Sequence, residues 1–242
     1  MKIMKDSKSP RKGIARSVQS IRPSGIRDFF EIVSSMEDTI SLGVGEPGYA
    51  TPWHIRDSSM YALERGATSY TSNLGLEELR KALAGYVEGF FGPSYDPATE
   101  ILVTTGVSEG LDLAIRAIVD PGDEIIYHQP SYVSYEPTIQ LSHGIPVVVE
   151  TQASEGFEVE PKALESKITP KTKAIVLNYP NNPTGAALSK QKLEKLAGLA
   201  IRHDLVVITD EIYAELTYDG RHKSIASLPG MRDRTILLHG FS

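Results

Sequence analysis

Short apolar runs recur along the chain from Ile101 onward, and segments with helical spacing separate most of them. The runs cover residues 101–104, 124–127, 146–149, 174–177, 205–208 and 235–238. The helix-like segments between them cover 109–118, 133–141, 163–168 and 190–201. Strands that alternate with helices in this way predict a mainly parallel sheet with helices on both faces. The expected fold class is therefore α/β, with three layers in the order α/β/α.

The region before residue 101 has a less regular pattern. Apolar residues at helical spacing predict helices over 26–33, 53–65 and 76–83. Residues 1–16 are rich in lysine and arginine, but no apolar segment follows them, so we expect a frayed tail rather than a secretory signal.

The overall composition excludes several classes of protein. The chain has 25 basic and 31 acidic side chains and a net charge of -6, which argues against binding to nucleic acid. It contains no cysteine, so disulfides, thiolate metal sites and a cysteine nucleophile are excluded. No apolar run reaches the ~20 residues that a membrane span needs. The histidines are scattered, so no metal site is predicted. These features favour a cytoplasmic enzyme.

The run 205–208 ends in polar residues that are candidates for a functional site. A continuous apolar run with β-branched residues is typical of a buried parallel strand. Ligands of open α/β sheets bind beyond the carboxyl ends of the strands, and Asp210 and Tyr213 follow this strand. Alternatively, Asp210 only caps the next helix. The strand alone leaves both interpretations open.

A second candidate is the turn that leads into the helix-like segment 109–118. Small residues at a helix start, here Gly106, Val107 and Ser108, expose backbone N–H groups and the positive end of the helix dipole. This arrangement suits a phosphate group. The alternative is an ordinary loop in which Ser108 serves as the N-cap.

Two further loops follow predicted strands. Residues 178–185 contain two prolines, which stiffen the backbone and would hold Asn182 in a fixed orientation. Residues 129–135 place Tyr132 at the start of a predicted helix, where its ring could cover a flat heterocycle. The alternative for Tyr132 is half-buried packing.

Taken together, these segments resemble the class I/II aminotransferases, which have the type I fold of enzymes that use pyridoxal 5′-phosphate. The resemblance extends from about Pro23 to Ser242 in the family's order and spacing. Its motifs are residues 42–47, 68–70, 105–106, 121–123, 181–185 and 210–213. Residues 24–27 and 225–242 look most like the branch with the aspartate and N-acetyl-diaminopimelate aminotransferases.

The resemblance implies a role for each candidate residue around the cofactor. Asp210 would pair with the protonated pyridine nitrogen, and Tyr213 and Asn182 would bond the 3′-oxygen. Gly106, Val107 and Ser108 would hold the phosphate, while Tyr132 would stack on the ring. Each of these roles is the one that the family's motif implies for the matching position in this chain.

Other implied roles concern the substrate and a second subunit. Gly45 would offer its backbone to the substrate carboxylate, with Asn182 close by. Tyr70 would reach the phosphate of the neighbouring subunit, which implies a homodimer. Residues 1–46 would form an N-terminal arm and helix that contribute to the small domain, and residues 47–242 an incomplete large domain.

The family's Schiff-base lysine is expected immediately after Ser242, where the sequence stops. Either the chain is a fragment, or the polymer continues through a lysine already joined to the cofactor. We favour the second explanation, because a fragment would expose an apolar sheet edge. Gly240 also departs from the family, since many relatives have a phosphate-binding serine there.

The implied activity is transfer of an amino group between an L-amino acid and a 2-oxo acid. A β-lyase is an alternative, because the same cofactor can expel a β-substituent. A non-catalytic sensing domain of a transcription regulator is another, although residues 1–23 are too short for a DNA-binding domain.

Overall fold

A computed structural model describes residues 13–21, 32, 40, 45 and 48–241. Its centre is a parallel sheet of five strands in the order β2-β1-β3-β4-β5. The strands are β1 (Glu124–Gln129), β2 (Ile145–Glu150), β3 (Thr172–Asn178), β4 (Val206–Asp210) and β5 (Thr235–Leu238). The predicted α/β class and its parallel sheet are therefore confirmed.

The helices mostly fall where the apolar spacing predicts them. They are α1 (Arg16–Gln19), α2 (Trp53–Glu64), α3 (Glu77–Phe90), α4 (Gly106–Ile118), α5 (Tyr135–Leu141), α6 (Pro161–Glu165) and α7 (Lys190–Arg202). Short 3-10 turns follow at Ala153–Glu155, Ala214–Leu216, Ile225–Ser227 and Arg232–Arg234. The helix predicted over 26–33 lies outside the described residues, apart from Ile32.

Successive strand residues contribute to two separate apolar cores, because side chains alternate between the faces of a sheet. On one face, Ile126 and Val207 pack with the buried residues of α6 and α7. On the other face, Ile125 and Ile208 pack with those of α4 and α5. Helices thus cover both faces, as the predicted three-layer arrangement requires.

Two predictions about local structure are wrong. Residues 101–104 form no strand, and the Val103 N–H instead donates to the carbonyl of Leu74, which precedes α3. An apolar run of this length is compatible with a strand, but no strand of the described residues pairs with it. Tyr132 does not begin a helix either, because α5 starts at Tyr135 after a turn.

The chain divides into two compact units, residues 1–21 with 74–242 and residues 22–73. The first unit contains the sheet. In the second, α2 has no buried residue, and Trp53, Tyr61 and Leu63 are exposed. Among the described residues, no helix has both the length and the apolar character that a membrane span needs. The predicted division into residues 1–46 and 47–242 stays a prediction.

Candidate functional site

The carboxylate of Asp210 is buried at the carboxyl end of β4. Only 4% of the residue is exposed, and its oxygens accept hydrogen bonds from the Tyr135 hydroxyl at 2.7 Å and the Ile212 N–H at 3.2 Å. Burial raises the pKa of the Asp210 carboxyl above its usual value, although both hydrogen bonds oppose this. A cation beside Asp210 would therefore stabilise its charged form.

Tyr135 remains a hydrogen-bond donor to Asp210. Burial and the neighbouring carboxylate raise the pKa of the Tyr135 phenol, so the hydroxyl keeps its proton. Asp210 does not cap a following α-helix, because its backbone leads into a turn and then the 3-10 turn Ala214–Leu216. The capping alternative is thus wrong.

The loop after β3 meets the segment after β4 at the same edge of the sheet. The Asn182 side-chain amide is 3.3 Å from the Tyr213 hydroxyl, to which it donates. Asn178, the last residue of β3, accepts from the Asn182 N–H at 2.9 Å and donates to the Asp210 carbonyl at 2.9 Å. The two predicted residues Asn182 and Asp210 are therefore connected through one buried amide.

Helix α4 begins at Gly106, with Thr105 as its N-cap. The first N–H groups of a helix have no carbonyl partner four residues earlier, and this applies to Val107 and Ser108. Ser108 is exposed within the first turn, so the alternative in which it is the N-cap is wrong. The Glu109 carboxylate instead accepts from the Thr105 N–H.

Gly240 connects this helix start to the Asp210 segment. A Cβ at Gly240 would lie 3.2 Å from Cδ1 of Ile212 and 3.6 Å from Cγ2 of Val107. The turn after β5 is thus packed between the two. A serine at this position would require a small shift of Ile212, which agrees with the glycine found here.

Tyr132 belongs to the same group of residues through Tyr135. Their rings are 5.8 Å apart and meet edge to face, with an interplanar angle of 82°. Tyr132 is partly buried. The Tyr132 ring thus contacts Tyr135, which in turn bonds the Asp210 carboxylate. Tyr132 itself precedes helix α5.

The neighbouring carboxylate, Glu211, points to the opposite face of the sheet. It accepts from the hydroxyls of Thr209 and Ser224, each at 2.8 Å, and pairs with His222. A cavity of about 230 Å³ lies on that face and includes Glu211 but not Asp210. None of the residues that line this cavity is a predicted cofactor residue. The candidate site is therefore the edge of the sheet around Asp210.

Two predicted residues belong to the second unit. Tyr70 is fully exposed, and apart from Gly45 and its chain neighbours no described residue has an atom within 4 Å of the position that a Cβ of Gly45 would take. Their roles toward a neighbouring subunit and a substrate stay predictions, as do the cofactor contacts of the residues around Asp210.

The sequence interpretation missed the two side chains that hold the site together, Tyr135 and Asn178. Asn178 could have been identified by its position, because it directly follows a predicted buried strand. Tyr135 had no comparable signal, since helical spacing alone does not show which residue of another element it contacts.

Comparison with known proteins agrees with the motifs. Residues 37–242 match the family model described as aminotransferase class I and II. The putative aminotransferase YugH of Bacillus subtilis is 50% identical over 225 residues, and the aspartate aminotransferase of Pyrococcus abyssi is 43% identical over 223 residues. The alignments cover 93% and 92% of this chain.

Solved structures have the same fold. The aspartate aminotransferase from Thermus thermophilus with maleate superposes with a TM-score of 0.89 at 39% identity, covering 95% of this chain and 60% of that one. The chain spans 58% and 57% of the length of the two curated relatives above. The family inferred from the motifs is confirmed: this chain belongs to the class I and II aminotransferases.

Proposed function

We propose that the protein containing this chain is an aminotransferase that uses pyridoxal 5′-phosphate to move an amino group between an L-amino acid and a 2-oxo acid. The strongest support is the buried Asp210 carboxylate, which Tyr135 holds at 2.7 Å. Because burial raises the pKa of Asp210, a cationic partner at this position would stabilise the charged carboxylate. A protonated pyridine nitrogen is such a partner.

When bound, the cofactor withdraws electrons from the substrate Cα and so stabilises the charge left by loss of the α-proton. Asp210 would keep the ring nitrogen protonated, and the Tyr135 hydroxyl would fix the carboxylate for this purpose. An amide at position 210 could hold the ring but would carry no charge to stabilise the cation.

Other residues would orient the cofactor and the substrate. Asn182 and Tyr213 already contact each other through polar atoms, and both would bond the 3′-oxygen. The N–H groups of Val107 and Ser108 would bind the phosphate, as helix starts bind anions elsewhere. Gly106 would shape the turn that presents them, because its own N–H donates to the Thr104 carbonyl at 2.8 Å. Gly106 has a φ of 75°, so glycine suits this turn.

The remaining assignments concern the ring face, the substrate and a second subunit. Tyr132 would cover the ring and exclude water from one side. Gly45 would bond the substrate carboxylate, together with Asn182. Tyr70, whose side chain is fully exposed, would reach the phosphate bound by the other subunit of a homodimer.

The test uses the full-length protein loaded with pyridoxal 5′-phosphate. Relatives are named for aspartate and for aromatic amino acids, so both donor classes are supplied. We expect the absorbance of the bound cofactor to change on addition of a donor and to return on addition of a 2-oxo acid. Absence of any change with these donors, despite bound cofactor, would contradict the proposal. Release of pyruvate and ammonia from a β-substituted amino acid would favour a β-lyase.

A further inference from the structure

His128 is a buried imidazole at the point where the sheet opens. The ladder between β1 and β3 ends at the pair Tyr127–Val176, whereas the ladder between β1 and β2 continues to Gln129–Glu150. The ladder between β3 and β4 likewise continues to Asn178–Asp210. Strands β1 and β3 therefore stop pairing before they reach the carboxyl edge.

This opening is the topological switch point of the sheet. The connection from β1 leads to β2 on one side, and β3 is followed by β4 and β5 on the other. Crevices at such points hold the ligands of open α/β sheets. The Asn178 backbone beside the opening pairs with Asp210 on β4 but has no ladder partner on β1.

The His128 side chain takes the place of that partner. Its Nε2 accepts from the Asn178 N–H at 3.1 Å, so the ring proton resides on Nδ1. Burial lowers the pKa of His128 to about 4, which keeps the ring neutral and Nε2 able to accept. The ring stacks on Tyr179 at 4.7 Å, and the Tyr179 hydroxyl is in turn bonded to the Phe157 carbonyl.

The stacking on Tyr179 does not by itself require a polar ring at position 128. Nδ1 is buried and has no hydrogen-bond partner among the described residues, which is unfavourable for the fold. An apolar side chain would avoid this penalty. What it could not supply is the acceptor at Nε2.

Asn178 connects His128 to the candidate site. Its side-chain amide donates to the Asp210 carbonyl, and its oxygen accepts from the Asn182 N–H, both at 2.9 Å. We infer that His128 is a positioning residue: through Asn178 it sets the places of Asp210 and Asn182. The inference deepens the proposed function and rests on it for the identity of the ligand.

Three variants of the full-length protein test this inference, with pyridoxal 5′-phosphate as the probe. His128→Leu removes the acceptor, and His128→Gln keeps one that can reach the same N–H. The matched control is His203→Leu, at the end of α7. We expect His128→Leu to raise the dissociation constant of the cofactor by roughly tenfold or more, by analogy with outer residues that orient the ligands of metal ions. His128→Gln and the control should stay close to the parent.

Equal loss in the leucine and glutamine variants would overturn the inference, because it would show a packing role only. A double-mutant cycle adds a second criterion. If His128 acts through Asn178, then His128→Leu should add little to the loss caused by Asn178→Asp. Full additivity of the two losses would contradict the inference.

The ring tautomer can be measured without any variant, should His128→Leu fail to fold. Nitrogen NMR of histidine-labelled protein should show the Nδ1–H form of His128 in the cofactor-free state. An Nε2–H form would overturn the inference. If the parent binds no pyridoxal 5′-phosphate at all, the proposed function fails, whereas the tautomer still reports on the bond between His128 and Asn178.

Discussion

The Tyr135 hydroxyl and the Asp210 carboxylate form a buried hydrogen bond of 2.7 Å that joins the first residue of α5 to the last residue of β4. We predict that Tyr135→Phe lowers the free energy of unfolding by about 1–3 kcal/mol, because it leaves a buried carboxylate oxygen without this donor. Urea unfolding at neutral pH measures the change. Tyr95→Phe is the control, since the buried Tyr95 hydroxyl has no hydrogen-bond partner among the described residues. Equal effects of the two substitutions would contradict the prediction.

The second prediction concerns Asp210 itself in the cofactor-free protein. Its folded-state pKa is raised by burial, so the folded state is favoured below the unfolded pKa and loses this advantage as the pH rises toward the folded pKa. Asp210→Asn should therefore be at least as stable as the parent at neutral pH, while it binds the cofactor more weakly and loses activity. Melting temperatures measured from pH 4 to 8 test this. A variant less stable than the parent at neutral pH would contradict it.

Acid stability should depend on His128. Its pKa is lowered from 6.5 to about 4, so the unfolded chain takes up a proton in this range before the folded protein does. Stability present above pH 6.5 is then lost as the pH falls toward 4, by roughly 3 kcal/mol in total. His128→Gln should remove this part of the acid sensitivity. Urea unfolding at pH 7 and pH 4.5 compares the two proteins, and an unchanged difference between the two pH values would contradict the prediction.

Gly75 should be far less tolerant of alanine than Gly122. Both have a φ of 97°, a conformation that disfavours side chains, so both substitutions carry backbone strain. At Gly75, however, the new Cβ would lie 2.6 Å from the Cβ of Val103, whereas at Gly122 no described residue other than its chain neighbours lies within 4 Å. We expect Gly75→Ala to cost about 1–3 kcal/mol more than Gly122→Ala, measured by urea unfolding. Similar costs would show that the segment around Val103 moves freely.

The sheet could be predicted because its strands are buried on both faces and therefore appear as continuous apolar runs. The same signal fails at residues 101–104, because an apolar run does not reveal whether a neighbouring strand pairs with it. Strand β4 also extends beyond its apolar part to Thr209 and Asp210. Their backbones continue the ladder even though their side chains are polar.

The candidate site was predictable only in part, for a related reason. Asp210 ends one strand, and Asn182 and Tyr213 follow strands, and the carboxyl ends of these strands share one edge, so topology brings the three residues together. Tyr135 and His128 contact the site through their side chains from elements elsewhere in the chain. No periodicity or turn signal specifies such contacts, and they become visible only once the strands and helices are packed.

Asp210, the last residue of β4, and Glu211, which follows it, are adjacent acids with different surroundings. Asp210 bonds Tyr135 on one face of the sheet, and Glu211 contacts His222 and Ser224 on the other face. Because side chains alternate, inserting or deleting one residue within the strand would exchange these two acids between the layers. The span from Val206 to Glu211 must therefore keep its residue count if each acid is to stay with its own partners.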